Sequence, residues 1–260
     1  MLIGTDYFQD YRRQLGFTNQ SAVKNFFGAK DIVAEVDMHF IAKLNERLAE
    51  SIRVINRVII QELRPDSLDG FIADYINRPY EIIVNNHLLP RLNNQGRRPE
   101  QVYFSWMRGY IFANYFRKSL CQIFDVDFSQ VSFVGDDDFS SLDTFKRTPK
   151  ADIEIELNHK NRVHIEMQTG FTGINDIKQH KVIEAKRLDR EDGIETIAIH
   201  FDLYNGQVAF LKLNQIEESN MHWISRQQME GQTVFNIDQN FFIWKITEPP
   251  PQYTDIKFEY

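Results

Sequence analysis

The spacing of apolar residues changes once along this chain, between Ser140 and Pro149, and that change decides which folds are open to it. Ahead of it, apolar side chains return every three or four residues, the period of a helix. Behind it they return mostly at every second residue, the period of a strand. The fold class is therefore α/β of the α+β kind, with a mainly helical N-terminal region. At 260 residues the chain exceeds the usual domain of about 100–200, but one domain of this length is permitted. It is 42% hydrophobic and 26% charged, ordinary for a folded chain, which excludes disorder for the bulk of it.

Composition narrows the function classes as well. No apolar run approaches the roughly 20 residues of a membrane-spanning helix, so no membrane partner is expected. The start, MLIGTDYFQDYRRQ, lacks the basic and then apolar pattern of a secretory signal. A single cysteine, Cys121, rules out an internal disulfide and fits a reducing, cytoplasmic setting. It lies in apolar company with no polarising neighbour and reads as packing, not as a nucleophile. The net charge of −7 argues against coating nucleic acid by bulk positive charge. It leaves room for a local basic groove beside acidic metal ligands.

Within the helical part, Asp31 to Leu63 carries a stripe of Ile41, Leu44, Leu48, Ile52, Ile55 and Ile59, with Pro65 and Gly70 beyond its end. A second helical stretch runs from Phe71 to Leu89, with a bend expected near Pro79. Asn93 to Pro99 is a loop by turn chemistry. Glu100 to Phe124 is an aromatic-rich helix, apolar around most of its circumference and therefore expected at the centre of the fold. Its rings are expected in the core, with base stacking as the alternative.

The strand-forming part offers Gln130 to Val134, then the acidic run Asp136, Asp137 and Asp138, read as a solvated turn or cap. Asp152 to Leu157 and Arg162 to Gln168 form a hairpin. Gly173 to Arg190 is expected as a helix with Ile174, Ile177, Val182, Ala185 and Leu188 inward. Glu195 to Leu203 is a strand buried largely on both faces, and Asn205-Gly206 turns it into Gln207 to Leu213. Thr233 to Ile237 and Phe241 to Ile246 are expected to pair, before Pro249 to Pro251 end the core and leave a tail.

Chemistry concentrates on the Asp152–Gln168 hairpin. Alternation puts Asp152, Glu154 and Glu156 on one face of the first strand. It puts His164, Glu166 and Gln168 on one face of the second, with Val163, Ile165 and Met167 opposite. Pattern alone leaves the register open and permits a plain amphipathic sheet with one face in water. If the polar faces align, several carboxylates and an amide oxygen converge. Such a group repels itself unless a cation intervenes, and hard oxygen donors suit Mg²⁺. His164 has no second histidine at ligand spacing and reads as structural or phosphate-facing. No phosphate-binding glycine loop, dinucleotide fingerprint or Ser-His-Asp arrangement stands out.

Asp152 followed by Glu166-Met167-Gln168 on adjacent strands resembles the active site of the PD-(D/E)xK nuclease superfamily, which includes most type II restriction endonucleases. Pro149-Lys150-Ala151 echoes only loosely the first half of that motif. The order of helix, three strands, helix and strand between Glu100 and Leu213 is similar to the family core. The resemblance implies a restriction-endonuclease-like mixed central sheet flanked by helices. It also implies Asp152 and Glu166 as Mg²⁺ ligands, and hydrolysis of a phosphodiester by water. The third motif position is usually lysine; here it is Gln168, which can orient water but carries no charge. Lys178 and Lys181 are candidates to supply that charge, and also read as solvated or phosphate-facing lysines. Glu154 and Glu156 are candidates for auxiliary roles. Arg97, Arg98, Lys146, Arg147 and Lys150 are possible phosphate contacts.

The expected function is that of a Mg²⁺-dependent type II restriction endonuclease, a homodimer cutting double-stranded DNA at a short palindrome. A cognate DNA methyltransferase is expected in the same system, not as a bound subunit. Residues 1–98 would provide dimerisation and a DNA clamp, 99–213 the catalytic core, and 214–260 a hairpin and tail packed on it, within one compact domain overall. The Asp31 to Leu63 stripe is a candidate interface, and equally a candidate for packing within the chain. Asn214 to Gln232 is rich in residues that read base edges, or is a polar loop. The alternatives are a repair or RNA-processing nuclease of the same fold, and a non-catalytic interaction protein.

Overall fold

The computed structural model describes residues 3–17, 19–33, 35–92, 97–134, 153–158, 161–227 and 231–258. Asp136 to Asp138, Lys146, Arg147, Lys150 and Asp152 lie outside the described residues.

Two helices, α1 (Thr5–Leu15) and α2 (Gln20–Phe27), bury none of their residues. Next comes α3 (Met38–Val58), shorter than the expected Asp31 to Leu63. It begins where the Asp37 carboxylate accepts the Phe40 N–H, an N-cap that satisfies an otherwise orphaned donor. It ends as Ile59 turns extended, ahead of a 3₁₀ turn at Gln61–Leu63. The stripe of Ile41, Leu48, Ile52, Ile55 and Ile59 is buried within the chain, so it is not free to serve as a dimer interface. Beyond it, α4 (Leu68–Ile72) and α5 (Arg78–Asn85) are joined by a π turn over Ala73–Asn77. Proline has no N–H to continue the helical ladder, and the widened turn lies directly ahead of Pro79, where the Arg78 N–H donates to the Ala73 carbonyl oxygen.

The aromatic stretch is two helices, α6 (Pro99–Tyr115) and α7 (Arg117–Phe124), interrupted at Phe116. Val102, Tyr103, Trp106, Met107, Ile111, Phe112 and Phe116 are buried, so those rings belong to the core. The Tyr103 and Tyr115 hydroxyls donate to the Asn45 and Asn56 side-chain oxygens of α3, each at 2.8 Å, so the buried phenols are satisfied.

The strands are β1 (Val131–Phe133), β2 (Ile153–Asn158), β3 (Asn161–Gly170), β4 (Asp176–Lys178), β5 (Glu195–Asp202), β6 (Gln207–Lys212), β7 (Ile224–Arg226), β8 (Gln232–Asn236) and β9 (Phe242–Lys245). Helix α8 (Gln179–Asp192) connects β4 to β5. A mixed sheet runs β1-β2-β3-β5-β6-β9, with only β3 and β5 parallel, as a helical crossover requires. A second sheet runs β4-β8-β7. The helical half covers one face of the large sheet through Ile153, Ile155, Val163, Ile165, Ile197, Ile199 and Phe201. The other face meets α8 and the small sheet through Ala198, Ala209, Leu211, Val182, Ala185 and Phe235.

Two expectations are corrected. Gly173 to Arg190 is not one helix: Asp176 to Lys178 form β4, whose Ile177 is buried at strand spacing, while Ile174 is exposed. The last two strands do not pair with each other; β8 joins the small sheet and β9 extends the large one beside β6. The segment after the prolines packs on the core. Ile256 is buried, and the Gln252 side chain donates to the Gln122 carbonyl oxygen at 3.0 Å.

Candidate active site

The β2–β3 hairpin pairs Ile153 with Ile165, Glu154 with His164 and Glu156 with Arg162. The parallel β3–β5 register sets His164 beside Thr196, Glu166 beside Ala198, Gln168 beside His200 and Gly170 beside Asp202. These polar residues share the sheet face that meets α8, where His164, Glu166, Thr196, His200 and Asp202 are all buried. Buried polar groups cost free energy unless partnered, so their partners define what this strip can do.

Glu166 meets Lys181 from the first turns of α8, Nζ to Oε2 at 2.7 Å. Both side chains are largely shielded, 8% and 19% exposed, so water screens this pair poorly. Burial pushes the Glu166 carboxyl up, while the Lys181 ammonium, a Gln168 hydrogen bond and Lys178 pull it down. Lys178 ends β4 rather than lying on the helix as expected. The neighbouring His180 is held below its usual value by burial, with Lys178 and Lys181 adding to the shift. The locality is cationic around one buried carboxylate.

The expected convergence of carboxylates is not found among the described residues. Glu154 Oε2 lies 3.2 Å from His164 Nε2 and its Oε1 lies 3.5 Å from Arg162. Glu156 is exposed opposite Arg162. Glu154 is thus partnered across the strands by His164 and Arg162, while Glu156 faces solvent. No three acidic, histidine or cysteine side chains gather as a metal site among the described residues. Asp152, the residue before Ile153, is outside them.

A chain of hydrogen bonds runs inward from Gln168. Its Oε1 lies 3.3 Å from His200 Nδ1, and His200 Nε2 lies 2.8 Å from Asn175 Oδ1. Asn175 Nδ2 donates to Asp202 Oδ2 at 3.1 Å. Asp202 also accepts from the Asn205 and Gln207 side chains and from the backbone N–H groups of Tyr204 and Asn205. Burial works against its charge, yet those donors hold the Asp202 carboxyl below its usual range. Burial lowers His200 to about 4, so its ring is neutral near pH 7. Period-2 reading of Glu195 to Leu203 could have placed His200 and Asp202 on the face of Gln168. Asn175 carried no such signal, because its neighbourhood reads as helix.

The basic residues expected at the DNA have mixed placements. Arg98 donates to Glu100 Oε1 at 3.0 Å at the start of α6, an ion pair within the chain. Arg97 lines a hollow of about 390 Å³ with Phe40, Leu44, Gln101, Phe104, Ser105 and Arg108. Cys121 is half-buried and burial raises its thiol pKa, which disfavours the thiolate.

Compared with family models, with curated proteins and with solved structures, the chain matches none. Among the described residues no helix is long and apolar enough to cross a membrane.

Proposed function

We propose that this protein is a Mg²⁺-dependent nuclease with a restriction-endonuclease-like core, cutting double-stranded DNA at a specific short sequence as a homodimer. The observation that carries the reading is the buried Glu166–Lys181 contact, two residues along β3 from Gln168. It supplies an ammonium beside the motif whose third position is neutral. The surrounding order, α6 and α7, β1, β2, β3, α8 and β5, supports the reading because it resembles the helix, three strands, helix and strand of the family core, with β4 inserted before the second helix.

A carboxylate oxygen is the hard donor Mg²⁺ takes, so Glu166 fits. Asp152 is the second carboxylate the proposal needs, and it needs the Ile153–Ile165 register to run on by one residue. Mg²⁺ held by Asp152 and Glu166 supplies a Lewis acid that favours ionised water and offsets phosphate charge. Lys181 neutralises charge that develops on the phosphate oxygens, with Lys178 adding to the field. Gln168 holds the attacking water by a hydrogen bond. The water gives up a proton to solvent as its oxygen bonds to phosphorus, the phosphorus–ester oxygen bond breaks, and the leaving alkoxide takes a proton from solvent.

The test is digestion of a mapped plasmid with and without Mg²⁺, followed by sequencing of the ends. Discrete cleavage is expected with Mg²⁺ only, and Glu166→Ala and Lys181→Met are each expected to slow it by at least about 10²-fold. A Glu166→Ala protein that cuts as well as the parent overturns the site. One observation favours a second reading, a non-catalytic sheet protein: Glu154 and Glu166 both already face cations of their own chain. Absence of Mg²⁺-dependent cleavage across duplex DNA and RNA substrates selects that reading.

A further inference from the structure

Helix α6 is apolar around most of its circumference, but Gln101, Ser105 and Arg108 stand four and three residues apart and so share one face, with Phe104 beside them. That face borders the hollow of about 390 Å³, together with Phe40 and Leu44 of α3. The walls carry two arginines, Arg97 and Arg108, and no carboxylate. Arg108 is half-buried, its guanidinium 4.6 Å from the Phe171 ring centroid and 5.8 Å from that of Phe104. Among the described residues no carboxylate or carbonyl oxygen accepts from it. Ring faces attract a cation, yet they do not replace the water lost from five N–H donors. A shielded cation with unfilled donors costs free energy that an anion in the hollow would offset.

Size and lining narrow the occupant. A two-turn peptide helix about 10 Å across would need about twice this volume. An inorganic anion would meet Arg108 and leave Phe40, Leu44 and Phe104 in water. The lining instead suits an anion that matches the guanidinium fork, joined to a flat body whose edge bonds to Gln101 and Ser105. A nucleotide has those parts, and aromatic side chains stack on any base.

We propose that the hollow between α3 and α6 binds a nucleoside monophosphate unit, with its phosphate on Arg108 and its base against Phe104 and Phe40. A free mononucleotide and one nucleotide of a single strand present the same chemistry, and the test separates them. The proposal uses neither Glu166, Gln168 nor a metal, so it goes beyond the nuclease reading and does not depend on it. The two meet in the fold: Phe171, beside Arg108, directly follows Gly170 at the end of β3, the strand that carries Glu166 and Gln168.

Binding is measured by titration calorimetry on the full-length protein, with EDTA present so that no metal-dependent hydrolysis intrudes. Deoxyadenosine monophosphate is expected to bind at least about 10-fold more tightly than deoxyadenosine or inorganic phosphate alone. Arg108→Met is expected to lower that affinity at least about 10-fold, and Arg108→Lys, which keeps the charge without the fork, by less. Should Arg108→Met fail to fold, Ser105→Trp fills the hollow from its wall and is expected to remove binding in a folded protein. A four-nucleotide deoxyadenosine strand that binds much more tightly than the monophosphate identifies a strand as the source; equal affinity identifies the free nucleotide. Inorganic phosphate that binds as tightly as the nucleotide overturns the proposal. So does affinity unchanged in Arg108→Met or Ser105→Trp, or no saturable binding of monophosphate or strand at millimolar concentration. Glu166→Ala is expected to bind the monophosphate as the parent does, so a failure of the nuclease reading and a failure of this one are told apart.

Discussion

Gly170 ends β3 where the backbone passes nearest to His200 and Asn175, and any side chain there meets buried, hydrogen-bonded atoms at 2.9 Å. The Leu203 N–H donates to the Gly170 carbonyl at 2.7 Å, so the strand cannot withdraw. Gly170→Ala is expected to destabilise the fold by about 1–3 kcal/mol, measured by urea unfolding. His200 supports a prediction in pH. Its folded value is about 4, against about 6.5 in an unfolded chain. Between those values the unfolded chain binds a proton that the folded one refuses. Stability present above about pH 6.5 is therefore lost as pH falls toward about 4, by roughly 2 kcal/mol at pH 5. His200→Gln removes that slope, so the difference between parent and variant in urea unfolding should shrink from about pH 7.5 to pH 5. A difference that stays constant sinks the prediction. At this scale the alternation of Glu166 and Gln168 on one strand was legible, as were Lys178 and Lys181 as nearby charges. That Glu154 turns to His164 and Arg162 was not, because it depends on register and on side chains across the sheet.

Among the elements, β5 and the α6–α7 pair carry the packing. Phe116, at the break between the helices, stacks on Phe201 of β5 with ring centroids 4.0 Å apart, and both rings are fully buried. Phe116→Ala is expected to cost about 3–5 kcal/mol, and an unchanged thermal or urea midpoint would contradict this account of the core. The break there was not visible in the sequence, since an all-round apolar run reads equally as one helix or as two. The strand β4 was missed for a related reason. Three residues are too few to display a period, and Ile174 and Ile177 stand three apart, a helical step. Its identity comes from its partner: Ile177 pairs with Phe235, some sixty positions away, on β8. The Asn205-Gly206 turn is the contrasting case. Gly206 adopts φ +70°, a conformation local chemistry already demands, and the strands on either side pair as read.

For the whole molecule, the proposed dimer cannot use the α3 stripe, which the chain consumes itself. Sedimentation velocity is expected to show a species of twice the 30.8 kDa chain mass, and a monomer at micromolar concentration in the presence of cognate DNA would remove the two-fold part of the proposal. Placing β8 and β9 in different sheets is likewise a decision of the whole molecule, since each is a short apolar run that would accept either neighbour. What the sequence determined by itself is whatever depends on near neighbours: helix before strand, the faces of β2 and β3, the central place of the aromatic stretch and the tight turn at Gly206. Side-chain period and turn geometry are local properties, so they survive without knowledge of the partner. Only the tertiary structure decided which carboxylate meets which cation, which strand joins which sheet, and that Asn175, His200 and Asp202 stand behind Gln168. Those contacts join residues 8 to about 60 positions apart, and their free energy exists only once the chain has closed around them.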